Sequence, residues 1–369
     1  MRQSLRRALV LLCLAATSGC LSNANERAAH ESEVGRASVA GVSFAVEGGL
    51  AAVREIQDGT LELWAQAPML RVLVQADATP TTTWLVRVRN CLPDAVLTAV
   101  GAAGEALAVA LVETSVPSVR AWLVALPAGG ATLDIAPVDA SLAEPFRFGV
   151  LSDIQSGVDR LPDILARINE DARVRFVISA GDLASQGSAG ELAHIQDQLL
   201  GLDVPFYATL GNHDAMGNGV ADWHALFGRT TLHFVFKGVT FTLADSGNGG
   251  MGALVYAWLD GWLSEARDGV HVFVTHFPLL DPDGLRNASF ASRNEAARLI
   301  AMLAEGRIDV SFYGHIHTFA PVIYGGTPGY ISGGGGAIPQ LWDGIGRHYL
   351  AVDASAERIE SVAVVRIDE

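Results

Sequence analysis

The sequence predicts an α/β protein in which a small all-β sandwich precedes a larger, layered α/β domain. Three observations carry this. Residues 39–143 hold short apolar runs separated by Gly, Pro and Asp, some alternating strictly, as in TWLVRVRN (83–90). From residue 144 onward, apolar runs of strand length take turns with amphipathic runs of helix length. Several of these later strands stop at polar clusters rather than at ordinary turn residues. Period-two alternation marks half-buried strands, and alternation of strands with helices marks βαβ units around parallel sheets.

At the N-terminus, Arg2, Arg6 and Arg7 precede the apolar run ALVLLCLAA (8–16), which is followed by TSGC (17–20). The run is too short to cross a bilayer as a helix. Its pattern resembles a bacterial lipoprotein signal. That implies removal of residues 1–19, lipidation of Cys20, and an exported protein anchored to a bacterial membrane, facing periplasm or cell exterior. Thr17 stands where that motif usually carries Leu, so cleavage by ordinary signal peptidase is the alternative. Residues 20–38, polar and small, read as a tether between membrane and folded protein.

The whole chain of 369 residues is 50% hydrophobic and 18% charged, enough apolar residue for two cores and too little charge for a disordered chain. Its formal net charge is −15, and losing residues 1–19 removes three arginines and no acid, leaving −18. Such a surface repels polyanions, whose binding requires lysines and arginines to displace counterions. No nucleic acid polymer is expected as a partner. After Cys13 and Cys20 only Cys91 remains. It has no disulfide partner and reads as a buried small apolar side chain.

In the β region, LELWAQA, RVLVQAD, TWLVRVRN, VRAWLVALP and ATLDIAP are strands. The apolar stretch 95–112 is broken by Gly101, Gly104 and Glu105, and reads as two strands joined by a turn. Beyond 144, strands are expected at FGVLSD (148–153), VRFVISAGD (174–182) and VPFYATLGN (204–212). Further strands are expected at VHVFVTHFP (270–278) and IDVSFYGHIH (308–317). Helices are expected at 158–171, 188–201, 253–267 and 291–305, a hairpin over 232–245 turning at Lys237-Gly238, and mostly β structure from about 320.

Five strands end in chemistry-bearing residues: Asp153-Ile-Gln155, Gly181-Asp182, Gly211-Asn212-His213-Asp214, Thr275-His276 and Gly314-His315-Ile-His317. The carboxyl ends of parallel strands share one edge of a sheet, where ligands of open α/β folds bind. Oxygen donors mixed with imidazoles suit borderline divalent cations, and there are enough here for two ions. His315 and His317, at i and i+2 in an extended chain, present both rings on one side.

The ordered set D-x-Q, GD, GNHD, H and GHxH resembles the calcineurin-like metallophosphoesterases, over roughly 146–369. The resemblance implies a four-layer αββα sandwich with a two-metal centre that hydrolyses small phosphoesters through a metal-bound hydroxide. It implies that Asp153, Gln155, Asp182 and His317 hold the first metal. Asp182, Asn212, His276 and His315 would hold the second, with Asp182 shared. His213 would face the leaving-group oxygen, held in orientation by Asp214. Mn or Fe are the first candidates for the two divalent ions, with Zn or Mg behind them. Most of the family carries D-x-H where Gln155 stands. An amide oxygen is a weaker and harder ligand than imidazole, which tilts the first site toward Mn or Mg over Zn. Gln at this position is also similar to a branch of manganese-dependent ADP-ribose and CDP-alcohol diphosphatases, which points to small nucleotide-like phosphodiesters or diphosphates. A phosphomonoesterase, or a non-catalytic scaffold lipoprotein retaining the fold, are the alternatives.

The remaining histidines, His194, His224, His233, His271 and His348, read as structural. Arg286, Arg293 and Trp342 read as surface or packing residues. The glycine run SGGGGA (332–337) reads equally as a loop pressed against the centre and as a plain turn.

Overall fold

The computed structural model describes residues 23–77, 82–282, 284, 288–340 and 344–367. The expected signal, Cys20, Arg286 and Trp342 lie outside the described residues.

A short helix α1 (Ala24–His30) opens the described chain. Ten strands follow: β1 (Arg36–Val39), β2 (Val42–Val46), β3 (Ala51–Gln57), β4 (Thr60–Ala65), β5 (Leu70–Ala76), β6 (Thr82–Arg89), β7 (Ala95–Gly101), β8 (Val109–Val112), β9 (Val119–Leu126) and β10 (Ala131–Pro137). They form two five-stranded sheets, ordered β1-β2-β5-β10-β7 and β3-β4-β6-β9-β8. Inward residues such as Val72, Val86, Val88, Val124 and Leu133 are fully buried between them. β5 and β7 alternate buried and exposed along their whole length, the signature of one face on a core and one in water. The apolar stretch 95–112 does form two strands, but β7 and β8 part into different sheets rather than pairing as a hairpin.

The second half runs β11 (Phe146–Val150), α2 (Leu161–Asn169), β12 (Val174–Ser179), α3 (Ala189–Leu199), β13 (Phe206–Ala208), α4 (Gly219–Leu226), β14 (Leu232–Phe236), β15 (Val239–Ala244), α5 (Ala253–Glu265), β16 (Val270–Thr275), α6 (Arg293–Glu305), β17 (Val310–Tyr313), β18 (Phe319–Tyr324), β19 (Thr327–Ser332), β20 (His348–Ala354) and β21 (Ile359–Arg366). One sheet is ordered β13-β12-β11-β20-β21 and the other β14-β15-β16-β17-β19-β18. Phe148, Phe176, Phe234, Phe241 and Phe312 fill the space between them, largely edge to face. Such pairs add about 0.5–1.5 kcal/mol each beyond the area they bury.

Helices cover both outer faces, giving the αββα layering. On one side α2 buries Leu161, Ile164, Leu165 and Ile168, a stripe spaced i, i+3, i+4, i+7. α3 starts at a capping box, in which the Ser188 side chain and Glu191 satisfy each other's backbone amides. On the other side α5 and α6 bury Leu259, Leu263, Leu299 and Leu303. The hairpin turns at Lys237-Gly238 as the sequence indicates, with Phe236 paired to Val239.

Residues 24–33 depart from expectation. Instead of trailing as a tether, they fold into α1 and a following 3-10 turn at Glu31–Glu33. Their polarity misleads because the charges are buried against distant partners. Arg27 meets Asp245, with side chains 0% and 2% exposed, and Glu31 meets Arg229. Asn25 lends its side-chain oxygen to the amide of Ala253, capping α5, whose own N-cap residue is Gly252.

Candidate metal centre

β11, β12 and β13 pair in parallel in one sheet, and β15, β16 and β17 in parallel in the other. The five polar clusters therefore leave their strands at one end of the molecule, from two sheets facing each other. The backbone there is unusual. Among the described residues, nine non-glycine positions have positive φ, and four of these are Asp153, Gln155, Asp182 and His315. Each such conformation costs on the order of 1–3 kcal/mol and persists only where the surroundings enforce it.

Glycine supplies the close approaches. A Cβ on Gly211 would sit 2.2 Å from Asp182 Oδ1, and one on Gly314 would sit 2.6 Å from Asp153 Oδ2. No larger residue fits at either place without moving a carboxylate. The glycine run 332–337 lies against the centre and not in a free turn. Gly335 N donates to Ser152 O, Ala337 N to Asp153 O, and Gln340 N to His317 O.

The side chains of Asp182, His276 and His315 converge, each offering one ligand atom within 4.8 Å of the others. Asn212 Oδ1 joins them, 3.0 Å from His276 Nε2 and 2.9 Å from His315 Nδ1. The rest of the expected set forms two pairs. His317 Nε2 is 3.6 Å from Asp153 Oδ1, and Gln155 Nε2 donates to Asp182 Oδ2 at 2.8 Å. The Gln155 amide thus turns its NH2 group toward Asp182. Half a turn about its last bond would present the oxygen instead.

Hydrogen bonds on the far side of each ring decide what the near side offers. His276 Nδ1 lies 3.0 Å from the carbonyl of Ala180, and His317 Nδ1 2.7 Å from the carbonyl of Ile338. A carbonyl only accepts, so both Nδ1 atoms carry protons, and each ring, when neutral, aims the lone pair of Nε2 inward. At His276 that lone pair faces Asn212 Oδ1 at 3.0 Å and Asp182 Oδ2 at 3.3 Å. Such acceptors are satisfied either by a proton on Nε2, which the raised pKa of His276 favours, or by a cation between them. The donor set and its geometry fit divalent metal ions.

The electrostatics agree. Burial lowers the pKa of His276, but the charge and hydrogen bond of Asp182 outweigh it and push it up to about 9. Burial raises Asp182, and His276 reverses this, bringing it to about 2. Burial also lifts Asp153 well above the usual carboxylate range, with the charge of Asp182 adding to it. Three buried carboxylates in one pocket draw in protons wherever positive charge is wanting, and a metal cation is the stronger substitute.

The structure corrects one expected role. Asp214 does not touch His213. Its Oδ2 accepts from the amides of Asp182 (2.8 Å) and Gly211 (3.0 Å), and its Oδ1 from the amide of Ala184 (2.8 Å). His213 is oriented instead by the carbonyl of Ser185, 2.9 Å from its Nδ1. The His213 amide in turn donates to Asp182 Oδ1 at 2.8 Å. Asp214 holds loops together, because a fully buried carboxylate beside three amides is drawn to them before it can reach a half-exposed imidazole.

Other participants escaped sequence reasoning. The carbonyls of Ala180, Ser185 and Ile338 belong to residues whose side chains carry no signal. Phe277 tilts over His315 with ring centroids 4.0 Å apart, and only its place after His276 could have suggested it. His271 and His348 are buried and bonded to Thr242 and Ser332, His348 packing behind the glycine run, as structural residues. Cys91 is a buried free thiol, pushed up to about 12 by burial.

Residues 146–319 match the family model described as calcineurin-like phosphoesterase. No curated protein matches the sequence. Among solved structures, the purple acid phosphatase PPD1 from yellow lupin (Lupinus luteus) seeds is similar over 82% of this chain and 71% of its own, at 12% identity and a TM-score of 0.54. That share is larger than residues 144–369 alone can supply, so the likeness in fold extends into the β-sandwich. GAP50, the anchor in the inner membrane complex of Plasmodium, covers 61% of this chain and 85% of its own at 18% identity, with a TM-score of 0.47. A dimetal phosphatase from Danio rerio covers 61% and 100% at 13% identity, also with a TM-score of 0.47.

Proposed function

We propose that this chain, which carries a calcineurin-like phosphoesterase domain and is a metal-dependent phosphoester hydrolase, acts on small nucleotide-like phosphodiesters or diphosphates. The observation that carries the hydrolytic reading is the convergence of Asp182, His276 and His315 within 4.8 Å, with Asn212 Oδ1 against both imidazoles. In this reading Asp182, Asn212, His276 and His315 would hold one cation and Asp153, Gln155, Asp182 and His317 the other, Asp182 being common to both sets. When bound, a pair of divalent cations supplies Lewis acidity toward phosphoryl oxygens and lowers the pKa of bound water. Mn or Fe suit this donor set best.

The chain's own groups do the rest. His213 carries a proton on Nδ1, fixed by the Ser185 carbonyl. That leaves Nε2 to meet the substrate, and in the imidazolium form it donates a proton to the departing oxygen as the P–O bond breaks. The amide of His213 on Asp182 Oδ1 couples the position of this acid to the shared carboxylate. The acidic body, with its formal charge of −15, disfavours long polyanions and leaves small phosphoesters as the substrate class. Gln155 in place of a histidine supports the nucleotide-like diphosphates within that class.

The location is part of the same proposal. Lipidation at Cys20 would hold the protein on a bacterial membrane, facing periplasm or cell exterior. Among the described residues no helix is long and apolar enough to cross a membrane.

The test is turnover of bis(p-nitrophenyl) phosphate with added Mn2+, followed by a panel of nucleoside diphosphate esters and monoesters. Activity that vanishes in Asp182→Ala, with preference for the diphosphates, is the expected result. A folded protein that binds Mn2+ and turns over none of these substrates would overturn the catalytic reading, and preference for monoesters would overturn the substrate class.

A further inference from the structure

The N-terminal segment reaches the metal centre through two buried chains of contacts. Arg27 is fully buried and pairs with both oxygens of Asp245, Nε to Oδ2 at 2.6 Å and Nη2 to Oδ1 at 3.0 Å. Its Nη1 donates to Asn248 Oδ1. Asp245 stands just after β15 and is followed by Ser246, whose hydroxyl accepts the amide of Phe277 at 3.0 Å. Phe277 follows His276 and tilts over His315 at 4.0 Å. Asp245 Oδ1 also takes the amide of Gly247, at 2.8 Å. A Cβ on Gly247 would stand 3.1 Å from Gly211 O, so this turn lies against the loop that carries Asn212.

The second chain starts at Glu31. Its Oε1 accepts from the amides of Thr230 (2.8 Å) and Thr231 (2.9 Å) and from the Thr230 hydroxyl. The carbonyl of Thr230 accepts the Thr209 hydroxyl at 2.7 Å, two residues before Gly211. The segment 24–33 thus stands behind both Asn212 and His276–Phe277, more than 180 residues away in the chain.

We propose that Arg27 is a positioning residue of the metal centre, acting through Asp245, Ser246 and Phe277 on His276 and His315. The proposal rests on the reading of that cluster as a metal site. Metal ligands depend on the groups that orient them, and losing such a group lowers metal affinity by about 10–100-fold. A surface tether would have no such effect. The physical warrant is a continuous path made of the buried Arg27–Asp245 pair, the peptide link from Asp245 to Ser246, the part-buried Ser246–Phe277 hydrogen bond and the ring contact with His315, and its energetic coupling is measurable by a double-mutant cycle.

The experiment is titration calorimetry of Mn2+ into the full-length chain and into Arg27→Met, Arg27→Lys, Ser246→Ala and the Arg27→Met/Ser246→Ala pair. Circular dichroism checks folding, and Mn2+ spin resonance reports on coupling between the two ions. Arg27→Met and Ser246→Ala are each expected to weaken Mn2+ binding on the order of tenfold and to reduce the coupled signal. The double variant should be no worse than the more affected single one, and Arg27→Lys should recover part of the loss. Unchanged Mn2+ affinity in a folded Arg27→Met, or strictly additive losses in the pair, would overturn the proposal. If Arg27→Met does not fold, Arg27→Lys and Ser246→Ala decide, since unchanged affinity in both overturns it equally. Wild-type protein that takes up no Mn2+ would instead end the metal reading itself, and this proposal with it.

Discussion

Asp214 offers a test that separates two physical roles. If it oriented His213, its removal would lower kcat and leave stability nearly alone. The structure gives it a different duty: three amides, from Asp182, Ala184 and Gly211, at 2.8, 2.8 and 3.0 Å, in a place with no solvent exposure. Asp214→Ala leaves all three amides buried and unpaired. At about 1–3 kcal/mol for each stranded group, the gross loss is roughly 3–9 kcal/mol. Relief from burying a carboxylate beside Asp182 offsets part of it, and burial has already pushed Asp214 up to about 6. A net loss near the lower end, about 3 kcal/mol, is expected. Asp214→Asn divides the effect. An amide oxygen in the place of Oδ2 keeps Asp182 and Gly211, while its NH2 opposes the amide of Ala184, so about 1–2 kcal/mol should go. Urea denaturation in the presence of a chelator measures both, with His213→Ala as the comparison. A fall in stability of under about 1 kcal/mol for Asp214→Ala, beside a large loss of kcat, would refute this reasoning and restore the orienting role.

Three further outcomes are expected. Gly211→Ala should fold but lose Mn2+ affinity by at least about tenfold, because its Cβ would stand 2.2 Å from Asp182 Oδ1 and 2.3 Å from the Asp182 amide; calorimetry showing wild-type affinity would contradict the packing. Burial, then the neighbouring His233, lowers the pKa of His271 from 6.5 to about 3. Its stabilisation is therefore complete above pH 6.5 and is lost as pH falls, by about 2 kcal/mol at pH 5 at 1.36 kcal/mol per unit. His271→Asn should flatten the stability profile between pH 6.5 and 4, and an unchanged slope in urea titrations would count against it. Gln155→His should raise Zn2+ affinity, on the order of tenfold, by placing an imidazole lone pair where the amide now donates to Asp182. Equal or weaker Zn2+ binding would mean that position 155 does not meet the metal.

The strand ends at Asp153, Asp182, Asn212, His276 and His315 were legible because an apolar run ending in ligand-type residues is a local pattern, and the parallel strands deliver the convergence. The αββα layering followed from the same alternation. What stayed hidden was set by distance or by backbone. Arg27 and Glu31 looked like solvated charge, because nothing near them in the chain reveals Asp245 or Arg229. The orienting of His213 and His276 was invisible because main-chain carbonyls do it. Asp214 was misassigned for a related reason: its neighbour in sequence is His213, but in space its donors are the amides of Asp182 and Ala184 in the loop after β12 and of Gly211 in its own loop. The fate of β8 was likewise not local, since the choice of sheet depends on β9, to which it pairs.

The seating of Gly335, Ala337 and Gln340 against Ser152, Asp153 and His317 bears on biosynthesis. β11, which leads into Asp153, has as one neighbour β20, at residues 348–354. A ribosome that has made every ligand through His317 has therefore not yet made the floor beneath them or the strand beside the first. Such long-range pairing is slow to form. A cation position that needs both Asp153 and His317 would then be complete only once residues 335–354 have been made and paired, whereas the Asp182, Asn212, His276 and His315 set rests wholly on chain made before them.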